Sequence, residues 1–279
     1  MIAANLASDS FVRSDHWQNV DATADPGSFA AYLDRGAAIL RDSRMEVMRQ
    51  LELQPGSSVL DVGSGAGEFL IEAASSVELV RAVGIDISEA MVNTAASRAR
   101  EAGVDVQFTI GDAQRLNFPD ESFDRVNCSR VLVHLDDPAA AIAEMARVLI
   151  PGGRIAIAEP DFDAFMIDSD NLDIARSVRG RMTAGLRNPD IGRRLRRLLL
   201  ESRLDIVRLS GVARPMASLQ MAVDQFHLLD HLDSAVKAGE VGADEAREWR
   251  SWVEATDAAG RGFIAGVLFQ AIAIKRPAA

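Results

Sequence analysis

The segment Val59-Leu60-Asp61-Val62-Gly63-Ser64-Gly65-Ala66-Gly67 constrains this chain more than any other stretch. A short apolar run reads as a buried strand, and it enters a turn with glycine at every second position. Glycine reaches backbone angles closed to other residues and lets a ligand come close to the main chain. The helix predicted next, over residues 68–76, offers unpaired N–H groups at its start. In an open α/β sheet, ligands bind in the crevice beyond such strand ends.

The spacing narrows the ligand. A dinucleotide turn reads G-x-G-x-x-G, whereas this one reads D-x-G-x-G-x-G and has no Lys-Ser/Thr of a phosphate-binding loop. It favours a nucleoside that carries an amino acid, with Asp61 able to bind an ammonium through water or backbone. The next predicted strand, residues 80–87, ends in Gly84-Ile85-Asp86-Ile87-Ser88, where a carboxylate can accept both hydroxyls of a ribose. The third, residues 106–110, ends in Gly111-Asp112-Ala113, where a carboxylate can accept from an exocyclic adenine amine.

The surrounding pattern predicts alternating strands and helices. Residues 28–51 read as one helix closed by Gln54-Pro55-Gly56. Helices follow over 88–102, with Ser88 as N-cap, and over 137–149, with Pro138 in the first turn. Residues 123–132 and 154–158 read as the fourth and fifth strands, with Pro151-Gly152-Gly153 between helix and strand. This rhythm predicts an α/β, Rossmann-like, seven-stranded, mostly parallel sheet with helices on both faces. Residues 172–202 read as helical with a break near Arg187-Asn188-Pro189, 204–209 as a sixth strand and 263–274 as the last. About two helices over 213–260 form a helical lid or substrate wall. The expected division is a helical cap over 1–54, a cofactor-binding core over 55–160 and a completion of the sheet over 161–279, all in one compact domain.

At these residues the sequence resembles the class I S-adenosylmethionine-dependent methyltransferases. VLDVGSGAGEF is similar to their first motif, GIDIS to the ribose-binding acid, GDAQRLNFPDESFDRV to the adenine-binding acid with its following strand, and ARVLIPGGRIAIAEP to the fifth-strand segment. The small-molecule branch, with the ubiquinone/menaquinone and natural-product methyltransferases, is the most similar. The resemblance implies S-adenosyl-L-methionine as cofactor, with Asp61, Gly63, Ser64 and Gly65 toward its methionine part. It implies Asp86 on the ribose, Ile87 and Met91 beside the adenine, and Gly111, Asp112 and Ala113 along the adenine edge. Ser129 and Arg130 would lie near the sulfonium, and Tyr32 from the N-terminal helix would cover the cofactor.

The implied activity is methyl transfer to a small, apolar metabolite, most readily at oxygen. The alternative is a cyclase or pericyclase that keeps the fold and the cofactor. For an oxygen nucleophile, His134 in the loop after the fourth strand is a candidate base, and Glu159 and Asp161 beyond the fifth strand are its rivals. His227 and His231, four apart, would share a helix face as pocket lining rather than as a metal pair, so no metal is expected. His16 and Trp17 are placed to close over the site.

Charge and composition exclude other classes. The net charge of −11 disfavours nucleic acid and anionic membranes as partners. No apolar run reaches the ~18 residues of a membrane span, and the N-terminal stretch does not read as a signal peptide. A single cysteine, Cys128, leaves no internal disulfide and points to the cytoplasm. Between Arg176 and Arg208 the arginines outnumber the acids. Ile191, Leu195, Leu198 and Leu199 repeat at helical spacing there, which reads as an amphipathic helix packed on the sheet. A monomer or homodimer is expected.

Overall fold

The computed structural model describes residues 17, 19–22 and 26–277. The expectations for the first 16 residues, His16 among them, lie outside this range. The strands are β1 (Ser58–Val62), β2 (Arg81–Asp86), β3 (Gln107–Ile110), β4 (Phe123–Ser129), β5 (Leu149–Pro160), β6 (Met166–Ile167), β7 (Leu204–Pro215) and β8 (Ile264–Lys275). They form an eight-stranded sheet in the order β3-β2-β1-β4-β5-β8, with β7 on the far side of β8. β1 to β5 pair in parallel, and β8 runs antiparallel to β5, β6 and β7. The strand beyond the expected seven is β6, a two-residue piece that pairs with Ile264 and Ala265 where β5 leaves off. It was too short to carry a sequence period.

The helices are α1 (Pro26–Ile39), α2 (Arg41–Leu51), α3 (Glu68–Ser76), α4 (Glu89–Ala102), α5 (Pro138–Val148), α6 (Leu172–Thr183), α7 (Ile191–Glu201), α8 (Leu219–Phe226), α9 (Leu228–Lys237) and α10 (Ala243–Ala258). Local chemistry sets several starts. The Ser88 hydroxyl accepts from Met91 N–H, Asp137 accepts from Ala140 N–H with Pro138 in the first turn, and Asn171 accepts from Asp173 and Ile174 N–H.

One expected helix is two, since the backbone flattens at Leu40 (φ −97°, ψ 10°) between α1 and α2. The region 213–260 holds three helices, because His227 takes a left-handed conformation (φ 50°) and separates α8 from α9. His227 and His231 therefore do not share one helix face. His227 is the corner, and His231 is buried in α9. β5 is longer than expected because Pro151-Gly152-Gly153 stays within it as an irregularity in its pairing with β4.

Apolar residues of α2 and α3 (Val47, Leu51, Phe69, Leu70) pack with Val59 and Ala82 of the sheet. A larger core joins β4 and β5 to α5, α6, α7, α9 and α10, with Phe123, Met145, Leu195, Leu232 and Trp249 buried in it. A third cluster, Val20, Ala30, Tyr32 and Met91, holds the N-terminal segment against α4. The two core faces leave the ends of β1 to β5 free to form a site.

Candidate functional site

A cavity of about 470 Å³ opens at those strand ends. Its base is the glycine turn, where Gly63, Gly65 and Gly67 all have positive φ (70°, 52° and 90°). Space and conformation both demand glycine at 63, since a Cβ there would stand 2.2 Å from a Val131 methyl. The turn is fixed from the neighbouring strand. Asp86 accepts from Gly65 N–H at 2.9 Å with one oxygen and from Ser88 N–H at 3.0 Å with the other. Each oxygen keeps a lone pair for a ligand. Burial, partly offset by these bonds, pushes the Asp86 carboxyl above its ordinary value.

Most of the residues singled out from sequence meet at this cavity. Tyr32, Gly63, Ser64, Gly65, Asp86 and Ile87 line one part; Met91, Gly111, Asp112 and Ala113 line another; Ser129, Arg130 and His134 complete the set. Asp112 holds its own turn by accepting from Gln114 N–H at 2.8 Å. Tyr32 is buried and bonded to Gln225, and burial raises its phenol further. Ser64 carries a buried hydroxyl with no partner among the described residues. A buried polar atom of this kind at a cavity wall fits a ligand with hydrogen-bonding groups.

Three candidates stand elsewhere. Asp61 is buried behind the turn, accepts from Asn127 Nδ2 at 2.7 Å, and lines a smaller adjoining cavity with Ser64, Glu68 and Arg130. Burial pushes its carboxyl up to about 7. Glu159 is fully buried and away from the main cavity. Its carboxylate accepts from Val131 and Leu132 N–H, both at 2.8 Å, and from Val133 N–H at 3.4 Å. It shapes the loop that carries His134. Asp161 is likewise occupied. It is buried, it caps the turn at Phe162–Ala164 through Ala164 N–H, and it makes a two-point bond at 2.6 Å to the Arg193 guanidinium. A carboxylate at a strand tip looked free in sequence because its partner lies 32 residues further on.

His134 is half-buried, its ring 5.6 Å from that of Trp17. Burial first, then the charges of Arg130 and Arg187, push its pKa down to about 3, so the ring is neutral at physiological pH.

The site also contains residues that the sequence did not mark. Asp21, in a short turn at Val20–Ala22, accepts from Ser88 Oγ at 2.6 Å, Glu89 N–H at 2.8 Å and Ala90 N–H at 3.0 Å. It ties the N-terminal segment to the start of α4, and so places Trp17 and Val20 over the cavity. Pro160, Phe162, Leu186 and Phe226 give the same cavity an apolar wall. Of the region 213–260 only Phe226 reaches this cavity. Trp252 lines a separate small one, and Leu228 is buried in the core. The arginines of 176–208 are largely answered at the surface, Arg181 by Glu240, Arg187 by Asp136 and Arg194 by Asp190.

Comparisons with known proteins agree with this geometry. Residues 60–157 match the family described as a methyltransferase domain. Over 251 residues the chain is 34% identical to an uncharacterized 37.1 kDa protein in transposon TN4556 of Streptomyces fradiae, a match spanning 88% of this chain and 71% of that one. Over 134 residues it is 39% identical to the 27-O-demethylrifamycin SV methyltransferase of Amycolatopsis mediterranei, covering 46% of this chain and 49% of the relative. With the second of these, as with several other curated relatives, the chain spans about half of the relative's length. A crystal structure of a putative methyltransferase from Bacillus halodurans superposes with a TM-score of 0.60 at 19% identity, over 85% of this chain and all (100%) of the other. The chain belongs to the S-adenosylmethionine-dependent methyltransferases. It is an enzyme of that class, and its cofactor is S-adenosyl-L-methionine.

Proposed function

We propose that the chain methylates a hydroxyl group on a small, apolar metabolite of specialised metabolism. The observation that carries this reading is one cavity with two unlike sets of lining residues: the glycine turn and strand-tip acids, and the apolar Pro160, Phe162, Leu186 and Phe226. The first suits a polar nucleoside and the second an apolar acceptor. The O-methylating relative supports the choice of oxygen.

When bound, the cofactor supplies an electrophilic methyl group on a sulfonium. The protein's part is alignment and exclusion of water. In this reading Gly63, Ser64 and Gly65 hold the methionine part, with Asp61 buried behind them to answer positive charge. Asp86 takes the ribose hydroxyls on its remaining lone pairs. Ile87, Met91, Gly111, Asp112 and Ala113 frame the adenine, Ser129 and Arg130 stand near the reacting centre, and Tyr32 and Trp17 close over it. His134, kept neutral, accepts a hydrogen bond from the acceptor hydroxyl and orients its oxygen. With a pKa of about 3 it is a positioning residue rather than a strong base. The lone, buried Cys128 and the charge of −11 favour a cytoplasmic enzyme with no nucleic-acid partner, acting as a monomer or homodimer. Among the described residues no helix is long and apolar enough to cross a membrane.

The test is a set of phenols and aliphatic alcohols offered with methyl-labelled cofactor and read by mass spectrometry. The expected products carry one added methyl on oxygen. Label recovered on nitrogen or carbon, or an isomerised product without label, would overturn the assignment, the latter in favour of cyclisation.

A further inference from the structure

Beside the main cavity lies a second chamber of about 120 Å³, and Tyr32, Arg130, Pro160, Phe162 and Phe226 line both. Phe165, Met216, Met221 and Val267 make its walls apolar. Polar groups interrupt this lining. Arg214, on β7, donates from Nη2 to Ser43 Oγ, while its Nε is buried with no acceptor among the described residues. Arg130, held at φ 61°, also has a buried Nε with no acceptor among the described residues. Neither guanidinium has an ion-pair partner among the described residues. The carboxylate in the lining, Asp161, is already taken by Arg193. Gly36 makes room for this arrangement, since a Cβ there would stand 2.8 Å from Arg130 Nη1. Gln225, 6% exposed, bonds Tyr32 and leaves Oε1 without a partner among the described residues; a half-turn of its amide would present a donor instead.

A buried guanidinium N–H without an acceptor is costly, and an apolar chamber supplies no water network to answer it. A bound anionic group would answer both the missing hydrogen bond and the unbalanced charge. We propose that the chamber receives the tail of an acceptor that is apolar in its body and anionic at its end, with Arg214 as the receptor for the anion. The reactive hydroxyl would then point back past Phe162 and Phe226 into the main cavity. This rests on the reading above of a small, apolar acceptor, and it adds a carboxylate-class group to it. Arg130 lines both spaces and can serve either ligand, so the proposal stands on Arg214, which lines the chamber alone.

The test is calorimetry on protein saturated with S-adenosylhomocysteine, titrated with 4-phenylbutanoate and with its neutral counterpart 4-phenylbutan-1-ol. The acid should bind about ten-fold or more tighter than the alcohol. Arg214→Gln should bring the acid down to the level of the alcohol and leave S-adenosylhomocysteine affinity within about two-fold, which also shows that the variant is folded. Arg214→Lys should keep most of the preference. Met221→Trp, which fills the chamber, should weaken both probes. If neither probe binds the wild-type protein, the apolar-acceptor reading and this proposal both fail. If the alcohol binds as well as the acid, or Arg214→Gln keeps the preference, the anion receptor alone is refuted. If Met221→Trp leaves both affinities unchanged, the chamber is not where the body sits.

Discussion

At the scale of single residues, the site depends on atoms that serve the fold and the ligand together. Gly63 is the sharpest case. Gly63→Ala would put a methyl 2.2 Å from Val131 and hold an L-residue at φ 70°. The expected cost is about 2–4 kcal/mol of stability with loss of S-adenosylhomocysteine binding, read by denaturant titration and calorimetry. Asp86 has both oxygens on backbone N–H groups, so Asp86→Asn turns an amide donor toward Gly65 or Ser88 while removing charge from the ribose position. S-adenosylhomocysteine affinity should fall by roughly ten- to a hundred-fold, the equivalent of about 1.5–3 kcal/mol. Unchanged affinity in calorimetry would sink the ribose assignment. His134 gives the opposite expectation to that of an ordinary imidazole. With its pKa pushed to about 3, it has no proton to lose near pH 6.5. His134→Ala should lower turnover by about ten- to a hundred-fold through lost orientation, with parallel pH–rate profiles from pH 6 to 9. A limb near pH 6.5 that vanishes in the variant would show that His134 is a general base after all.

At the scale of elements, the N-terminal segment is pinned to α4 by one side chain. Asp21 answers Glu89 and Ala90 N–H and the Ser88 hydroxyl, a role like that of a second N-cap beside Ser88 itself. Asp21→Ala should increase amide exchange at residues 19–22 and weaken S-adenosylhomocysteine by about ten-fold or less, because Trp17 and Val20 lose their anchor over the cavity. Exchange rates identical to wild type would mean that packing at Tyr32 and Met91 alone holds the segment. This anchor also shows where the sequence stops being readable. The cofactor half was legible because its signals are local: a glycine turn, then acids at two successive strand tips, each within a few residues of its own strand. Asp21 bonds a helix start 67 to 69 residues away and carries no mark of it. The apolar wall is assembled from Pro160 and Phe162, Leu186, and Phe226, in three segments far apart in the chain, so no periodicity announces it. The surroundings of Glu159 and Asp161 were hidden for the same reason. The partners that occupy them, the 131–133 amides and Arg193, are close only in space.

At the scale of the whole molecule, buried carboxyls couple stability to pH, with Asp86, already described, acting in the same direction as the two that follow. Asp61 on β1 and Glu159 at the end of β5 are both pushed up to about 7 by burial, from ordinary values of 3.8 and 4.5. A carboxyl whose pKa is raised on folding binds more protons in the native state than in the unfolded one. Its stabilising contribution is therefore complete below about pH 4 and is lost as pH rises through about 7. Asp21, Glu46 and Glu144 act in the other direction, since their carboxyls are lowered and their contribution fades as pH falls. The net curve mixes both, so the informative quantity is the difference between wild type and Asp61→Asn. That variant keeps an oxygen for Asn127 Nδ2 and has no charge to bury. Relative to wild type it should gain on the order of 2–4 kcal/mol between pH 4 and pH 8, with most of the gain between pH 5 and 7. Glu159→Gln should show the same slope on a less stable baseline. It loses part of the acceptor set that holds Val131, Leu132 and Val133, and that offset is independent of pH. Urea unfolding of the ligand-free protein at half-unit steps of pH separates slope from offset. Curves that run parallel to wild type across the whole range would mean that these carboxyls are not protonated in the fold, and that the burial of two charges behind the cofactor site is compensated in another way.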